Sequence, residues 1–255
     1  MQTLEHRFNA DNLPPKLEAV YRAVLAALHD LPFCYYPSKS GRLAEAAASK
    51  IAALARQCGL QSVMNEYFGQ QADELSFTRE APVHFADGLP PDNRKIDFAR
   101  WVDGLRICME MEFGNLARLD SDSSKLSNAF LRGACHLGII ICPVAATSSA
   151  ITGGGATFES LVARVKGLHP SLVPGPLILI GLSHEGAELV DLSTSKIGNP
   201  DLLSGNNGRE VCAYVVKRLR RGDSPEDIEL PDTMLTLHDN RPALVRHEEL
   251  QASLF

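Results

Sequence analysis

Apolar residues recur along the chain in two distinct rhythms. Leu17, Val20, Tyr21, Val24, Leu25 and Leu28 repeat at helical spacing behind Pro14 and Pro15. That predicts an amphipathic helix over residues 15–31, because proline suits a first helical turn. A loop is expected over 33–41. An alanine-rich helix is expected from Arg42 to Gln57, stopping near Gly59. Residues 61–68 read as a strand, and 86–94 as a turn-rich link. Ile107, Met109, Met111 and Phe113 then alternate, the rhythm of a strand burying one face. Cys108 is also apolar, so the other face of that strand looks interior too. Leu126, Ala129, Phe130 and Gly133 return to spacings of three and four, predicting a helix over 120–136 flanked by Lys125 and Arg132. The runs 138–145 and 176–183 are apolar and bounded by glycine and proline, as buried parallel strands are. A short helix over 158–165 lies between them.

This order of strands and helices predicts an α/β fold with a central mixed β-sheet flanked by helices. A further helix-like stretch, Val211 to Val216, leads into the basic run Lys217-Arg218-Leu219-Arg220-Arg221. The chain turns acidic after Gly222, and the segment from about residue 223 is expected to be peripheral. With 255 residues, a single domain over 1–255 with a substantial core is expected.

Composition narrows the picture. No run approaches the roughly eighteen apolar residues of a membrane span, and Met1 to Arg7 show no signal-peptide pattern. The six cysteines form no Cys-x-x-Cys pair, and three sit in apolar runs. Buried free thiols in a reducing cytoplasm are the expectation. The formal net charge of −6 counts against a broadly basic nucleic-acid-binding surface. Any phosphate contact must come from local cations.

The candidate chemistry sits around the alternating strand. Asp97 ends the short run Lys95-Ile96-Asp97-Phe98, and twelve residues separate it from Glu110-Met111-Glu112. Side chains alternate along a strand, so Glu110 and Glu112 share a face. With Asp97 on a neighbouring strand, three carboxylates crowd together. That is unfavourable unless a cation, a proton or a cationic side chain compensates. A Glu-x-Glu is common on solvated faces, but the apolar neighbours here imply partial burial, which is costly without a partner. Mg²⁺ prefers oxygen ligands and commonly uses carboxylates together with substrate phosphate. The spacing therefore reads as a metal-dependent phosphodiesterase site. Two polar loops are candidate DNA-facing segments. One spans Thr147 to Gly155 and includes Ser148, Gly153 and Gly154, whose backbone N–H groups could cradle phosphate. The other contains Lys196. Lys125 is a candidate phosphate contact, with a solvated helix lysine as the plain alternative.

At the run Met109-Glu110-Met111-Glu112-Phe113-Gly114-Asn115 the chain resembles type II restriction endonucleases of the BamHI/BglII branch of the PD-(D/E)xK nucleases. That superfamily places an Asp at one strand end and Glu-x-Lys on the next strand. The BamHI branch has Glu in place of the Lys, as Glu112 stands here. The likeness extends through Gly138-Ile139-Ile140-Ile141-Cys142-Pro143, Phe158-Glu159-Ser160-Leu161 and the run from Gly175 to Gly181, covering roughly residues 95–185. It implies a restriction-endonuclease-like fold and a homodimer cutting double-stranded DNA with Mg²⁺. Asp97, Glu110 and the Met111 carbonyl would ligate the metal, and Glu112 would activate water. Glu66 corresponds loosely to a further acidic site residue, and Asn115 to a base-reading position. The target implied is a short palindrome containing GATC, cut to leave 5′ overhangs. One departure bears on that target: residues 152–157, just before Phe158, carry no charged side chain. A low-specificity nuclease of the same fold, an inactive DNA-binding module, and a protein binding only a structural cation stand as alternatives.

Overall fold

The computed structural model describes residues 1–37, 59–83, 92–113, 116–152, 155–168, 173–203 and 208–234. Their regular elements, in chain order, are β1 (Gln2–Phe8), α1 (Pro15–His29), β2 (Phe33–Tyr35), α2 (Gln61–Glu74), β3 (Thr78–Val83), β4 (Asp92–Val102), β5 (Leu105–Met111), α3 (Leu116–Leu131), β6 (Leu137–Pro143), α4 (Ala145–Thr152), α5 (Phe158–Gly167), β7 (Leu177–Ser183), β8 (Leu189–Asp191) and α6 (Arg209–Leu219). Six strands form one sheet in the order β1-β7-β6-β5-β4-β3. The three middle strands β7, β6 and β5 are parallel, and β1, β4 and β3 join antiparallel at the two sides. This is the mixed sheet expected from the element order.

Each face of the sheet carries its own core. Ile107, Met109, Met111 and Phe113 point into one, against Val20, Tyr21 and Val24 of α1, Met64 and Phe68 of α2, and Val215 of α6. Cys108, Ile140, Cys142 and Leu179 point into the other, against Leu126 and Ala129 of α3 and Leu161 and Val165 of α5. The alternation read from β5 is therefore its division between two cores. Both faces being covered explains why β6 and β7 are continuous apolar runs, buried at all seven positions.

Several expectations are corrected. Residues 61–68 are the start of helix α2, not a strand. Val63, Met64, Phe68 and Ala72 are buried along one side of it, and this spacing is helical rather than alternating. Within the segment read as a loop, Phe33, Cys34 and Tyr35 form β2, which pairs in parallel with β8. The stretch from Thr147 to Thr152 belongs to helix α4, with Ala150 and Ile151 buried. Ser149 there returns its hydroxyl to the Ala145 carbonyl at 3.0 Å. The helix expected over 120–136 begins earlier and ends at Leu131. Gly133 takes φ +66°, and the N–H groups of Gly133 and Ala134 donate to the carbonyls of Phe130 and Ala129. This is a Schellman ending, which the left-handed conformation of glycine permits. Of the segment expected to be peripheral, Ile228 and Leu230 are buried in the core. The expected helix from Arg42 to Gln57 lies outside the described residues. No helix among them is long and apolar enough to cross a membrane.

Candidate active site at the opening of the β4–β5 ladder

β4 and β5 pair from Val102↔Leu105 to Phe98↔Met109, and their pairing stops there. Beyond it the two carboxylates take over the cross-strand contacts. The Met111 N–H donates to Asp97 Oδ2 at 3.0 Å, and the Asp97 N–H approaches Glu110 Oε2 at 3.4 Å. On its other side β5 stays paired with β6 as far as Met111↔Ile141, and the Glu112 N–H donates to the Ile141 carbonyl. A central strand thus fixes the backbone of Glu110, Met111 and Glu112 while its neighbour peels away and opens a gap. Asp97, Glu110 and Glu112 all lie around this opening, with Glu110 fully buried and Glu112 nearly so.

Two cations from α3 face this group. Lys125 Nζ lies 2.7 Å from Glu110 Oε1 and 3.1 Å from Asp122 Oδ1. Arg118 Nη1 lies 3.8 Å from Glu112 Oε2. Asp122 is a site residue that the sequence reading missed. The signal was present, since Asp122 and Lys125 stand three apart on the helix and so share a face. Burial, with the charge of Asp97 added, pushes the Glu110 carboxyl well above the ordinary carboxylate range, against the pull of Lys125. Burial also raises Asp122; Lys125 opposes, and Asp97 and Glu112 add to the rise. Burial would lower the Lys125 ammonium, but Glu110 and Asp122 outweigh it and the net shift is upward. Lys125 and Arg118 are the α3 cations that approach these carboxylates.

Asp97, Met111, Glu112, Asp122 and Lys125 line a cleft of about 840 Å³. Its opposite wall includes Asn65 and Glu66 of α2, Arg79 of β3 and Arg209 of α6. Glu66 therefore reaches the same cleft, but from a helix and already engaged. Arg79 Nη1 lies 2.7 Å from its Oε2, and Gln70 Nε2 lies 3.1 Å from its Oε1. Arg79 also binds Asp73 through two contacts. Other predicted contacts fall away from the cleft. Ser148 is wholly buried, accepting the Gly155 N–H at 3.1 Å, so it cannot meet DNA from a surface loop. Lys196 pairs with Glu229 and does not line the cleft. Asn115, Gly153 and Gly154 lie outside the described residues.

Among the described residues no three His, Cys, Asp or Glu side chains converge as a ready-made metal cluster. The donor chemistry nevertheless fits a divalent cation: hard carboxylate oxygens, one of them fully buried. Lys125 occupies the place between Glu110 and Asp122.

No curated protein matches the chain. Residues 1–182 match the family described as restriction endonuclease BglII/BglIII, a span that contains the whole six-stranded sheet except the last residue of β7 and every carboxylate of the site. The chain belongs to this restriction endonuclease family, whose members are nucleases acting on DNA.

Proposed function

We propose that the chain is a Mg²⁺-dependent type II endonuclease that hydrolyses both strands of double-stranded DNA at a short palindromic site. The observation that carries this reading is that, where the β4–β5 ladder opens, Asp97 and Glu112 line a cleft edged by Arg79, Arg118 and Arg209, with Glu110 buried against Lys125. Asp97, Glu110 and the Met111 carbonyl are the groups proposed to hold the metal. Bound there, the metal supplies Lewis-acid stabilisation of the charge that builds on the phosphate.

The chain's own residues do the rest. Glu112, held by β6 through its backbone, accepts the proton of the attacking water. The arginines of the cleft, with Lys125, receive the phosphate backbone, supplying local positive charge on a chain whose net charge is −6. Matching half-sites on a palindrome call for a twofold homodimer. The family resemblance supports a target containing GATC cut to leave 5′ overhangs. The reading loop before Phe158 lacks charged residues, so the bases flanking such a core would be read by other groups.

The test is to incubate purified protein with plasmid and Mg²⁺, sequence the ends, and repeat with Glu110→Ala. Discrete fragments from the wild type are expected. Glu110→Ala should lose cleavage but keep DNA affinity, because Glu110 is buried and is not among the groups that line the cleft. A smear would replace the reading by a low-specificity nuclease, and intact DNA by a binding module. Cleavage retained in Glu110→Ala would reject the assigned site.

A further inference from the structure

We propose that Lys125 is a resident counter-ion of the candidate active site, which a divalent metal must displace from Glu110. The inference rests on the proposed metal site and adds to it a competition for the same carboxylate. Lys125 is only 11% exposed, and its ammonium touches one fully buried carboxylate and one nearly buried one. An ammonium is a compact point charge on a flexible stem, so it can occupy a cation site and still swing out of it. Asp122 gives it a second anchor three residues back on the same helix. The absence of a converged cluster among the described residues is then explained. Glu110 Oε1 is turned to Lys125, and the Asp97 carboxylate to the Met111 N–H.

The arrangement has a functional logic. Without metal, Lys125 keeps Glu110 from standing as an unpaired buried charge, which would be strongly destabilising. With metal bound, the ammonium is released from Glu110 at the edge of the cleft where substrate phosphate would lie. A group that guards the empty site thus becomes a phosphate ligand in the loaded one. Arg118 is the control for simple charge effects. It stands on the same helix and faces the same carboxylate group, but it is 73% exposed and approaches Glu112 rather than Glu110.

The test is a calorimetric titration of Mg²⁺, and of Mn²⁺ in parallel, into the DNA-free protein. Wild type is compared with Lys125→Gln, Lys125→Arg, Arg118→Gln and Glu110→Gln. Lys125→Gln is expected to bind metal on the order of tenfold more tightly than wild type, since breaking a charge-assisted bond no longer opposes entry. Lys125→Arg keeps the competing charge and should stay within about threefold of wild type, as should the exposed Arg118→Gln. Thermal melting of the metal-free proteins provides a second readout: Lys125→Gln should melt lower than wild type and recover more on adding Mg²⁺. If Lys125→Gln binds metal no more tightly while Glu110→Gln loses binding, the competition is overturned and the metal site stands. An equal gain in Arg118→Gln would also overturn it, by showing a general charge effect. If Glu110→Gln binds metal like wild type, the metal-site assignment itself fails, and the competition with it.

Discussion

Glu112 and His184 show how much one residue's surroundings decide. Glu112 is 5% exposed, its backbone held by β6 and its side chain approached by Arg118. As the proposed proton acceptor it should not tolerate loss of its charge. Glu112→Gln is expected to lower the single-turnover cleavage rate by on the order of 10²- to 10⁴-fold while leaving DNA affinity nearly unchanged. Glu112→Lys should lose as much, although relatives in the wider superfamily carry Lys there, because this site is built around an acid. Wild-type cleavage rates in either variant would remove Glu112 from the mechanism. His184 predicts a pH effect. The Thr147 hydroxyl accepts from the His184 backbone N–H at 2.9 Å, which leaves its own proton for Nδ1 at 2.8 Å. Burial holds the imidazole pKa below its ordinary value of 6.5, against a smaller opposing pull from Glu185. The unfolded state therefore binds the proton more readily than the folded one. The stability contributed by neutral His184 is present above about pH 6.5 and is lost as pH falls toward the lowered folded-state value. Melting temperatures measured between pH 7.5 and 5.5 should fall more steeply for wild type than for His184→Gln. Parallel profiles would show that His184 does not carry this dependence.

At the scale of elements, close packing between β7 and α5 fixes how the sheet is covered. A Cβ at Gly181 would stand 2.6 Å from Cγ of Phe158 and 2.9 Å from its Cβ, near the root of that side chain where it has little room to yield. Gly181→Ala should cost roughly 1–3 kcal/mol. Added to Phe158→Leu it should cost less than the two single changes summed, since they share one contact. Urea denaturation of the four proteins measures this, and strict additivity would mean the helix moves aside freely. Thr157 meanwhile starts α5 with a reciprocal bond pair to Ser160, a capping box built with serine. The elements most legible in sequence were those whose apolar pattern ran long, α1 and the strands β5, β6 and β7. α2 was misread because Val63, Tyr67 and Phe68 favour strands by composition, while their positions follow a helical period. β2 was missed because its partner β8 is more than 150 residues away, and three buried residues carry too little local signal.

For the molecule as a whole, the assembly is the main prediction. The family resemblance implies a homodimer, but Ala129 on α3 and Ala134 just after it are buried in this chain's own core. They are not available to a partner. Leu131, at the end of α3, is 67% exposed instead, beside the open Gly133. Sedimentation should give a dimer on a cognate palindromic duplex, with two chains per duplex. A single chain per duplex that still cuts both strands would overturn the twofold arrangement.

By itself the sequence determined the alternation of β5 and the buried parallel strands beside it. From these it put Glu110 and Glu112 on one face of β5, because the period of a strand is local and a run of seven residues displays it, while the place of Asp97 beside them depended on the pairing of β4 with β5. It also required that something compensate the crowded carboxylates, and a cationic side chain was among the possibilities. Only the tertiary structure decided which groups do so. Lys125 and Asp122 come to Glu110 because α3 covers the face that holds Cys108, while Glu66 is drawn to Arg79 because α2 covers the other. Which side of a sheet a helix packs on depends on long-range burial, and local periodicity does not encode it.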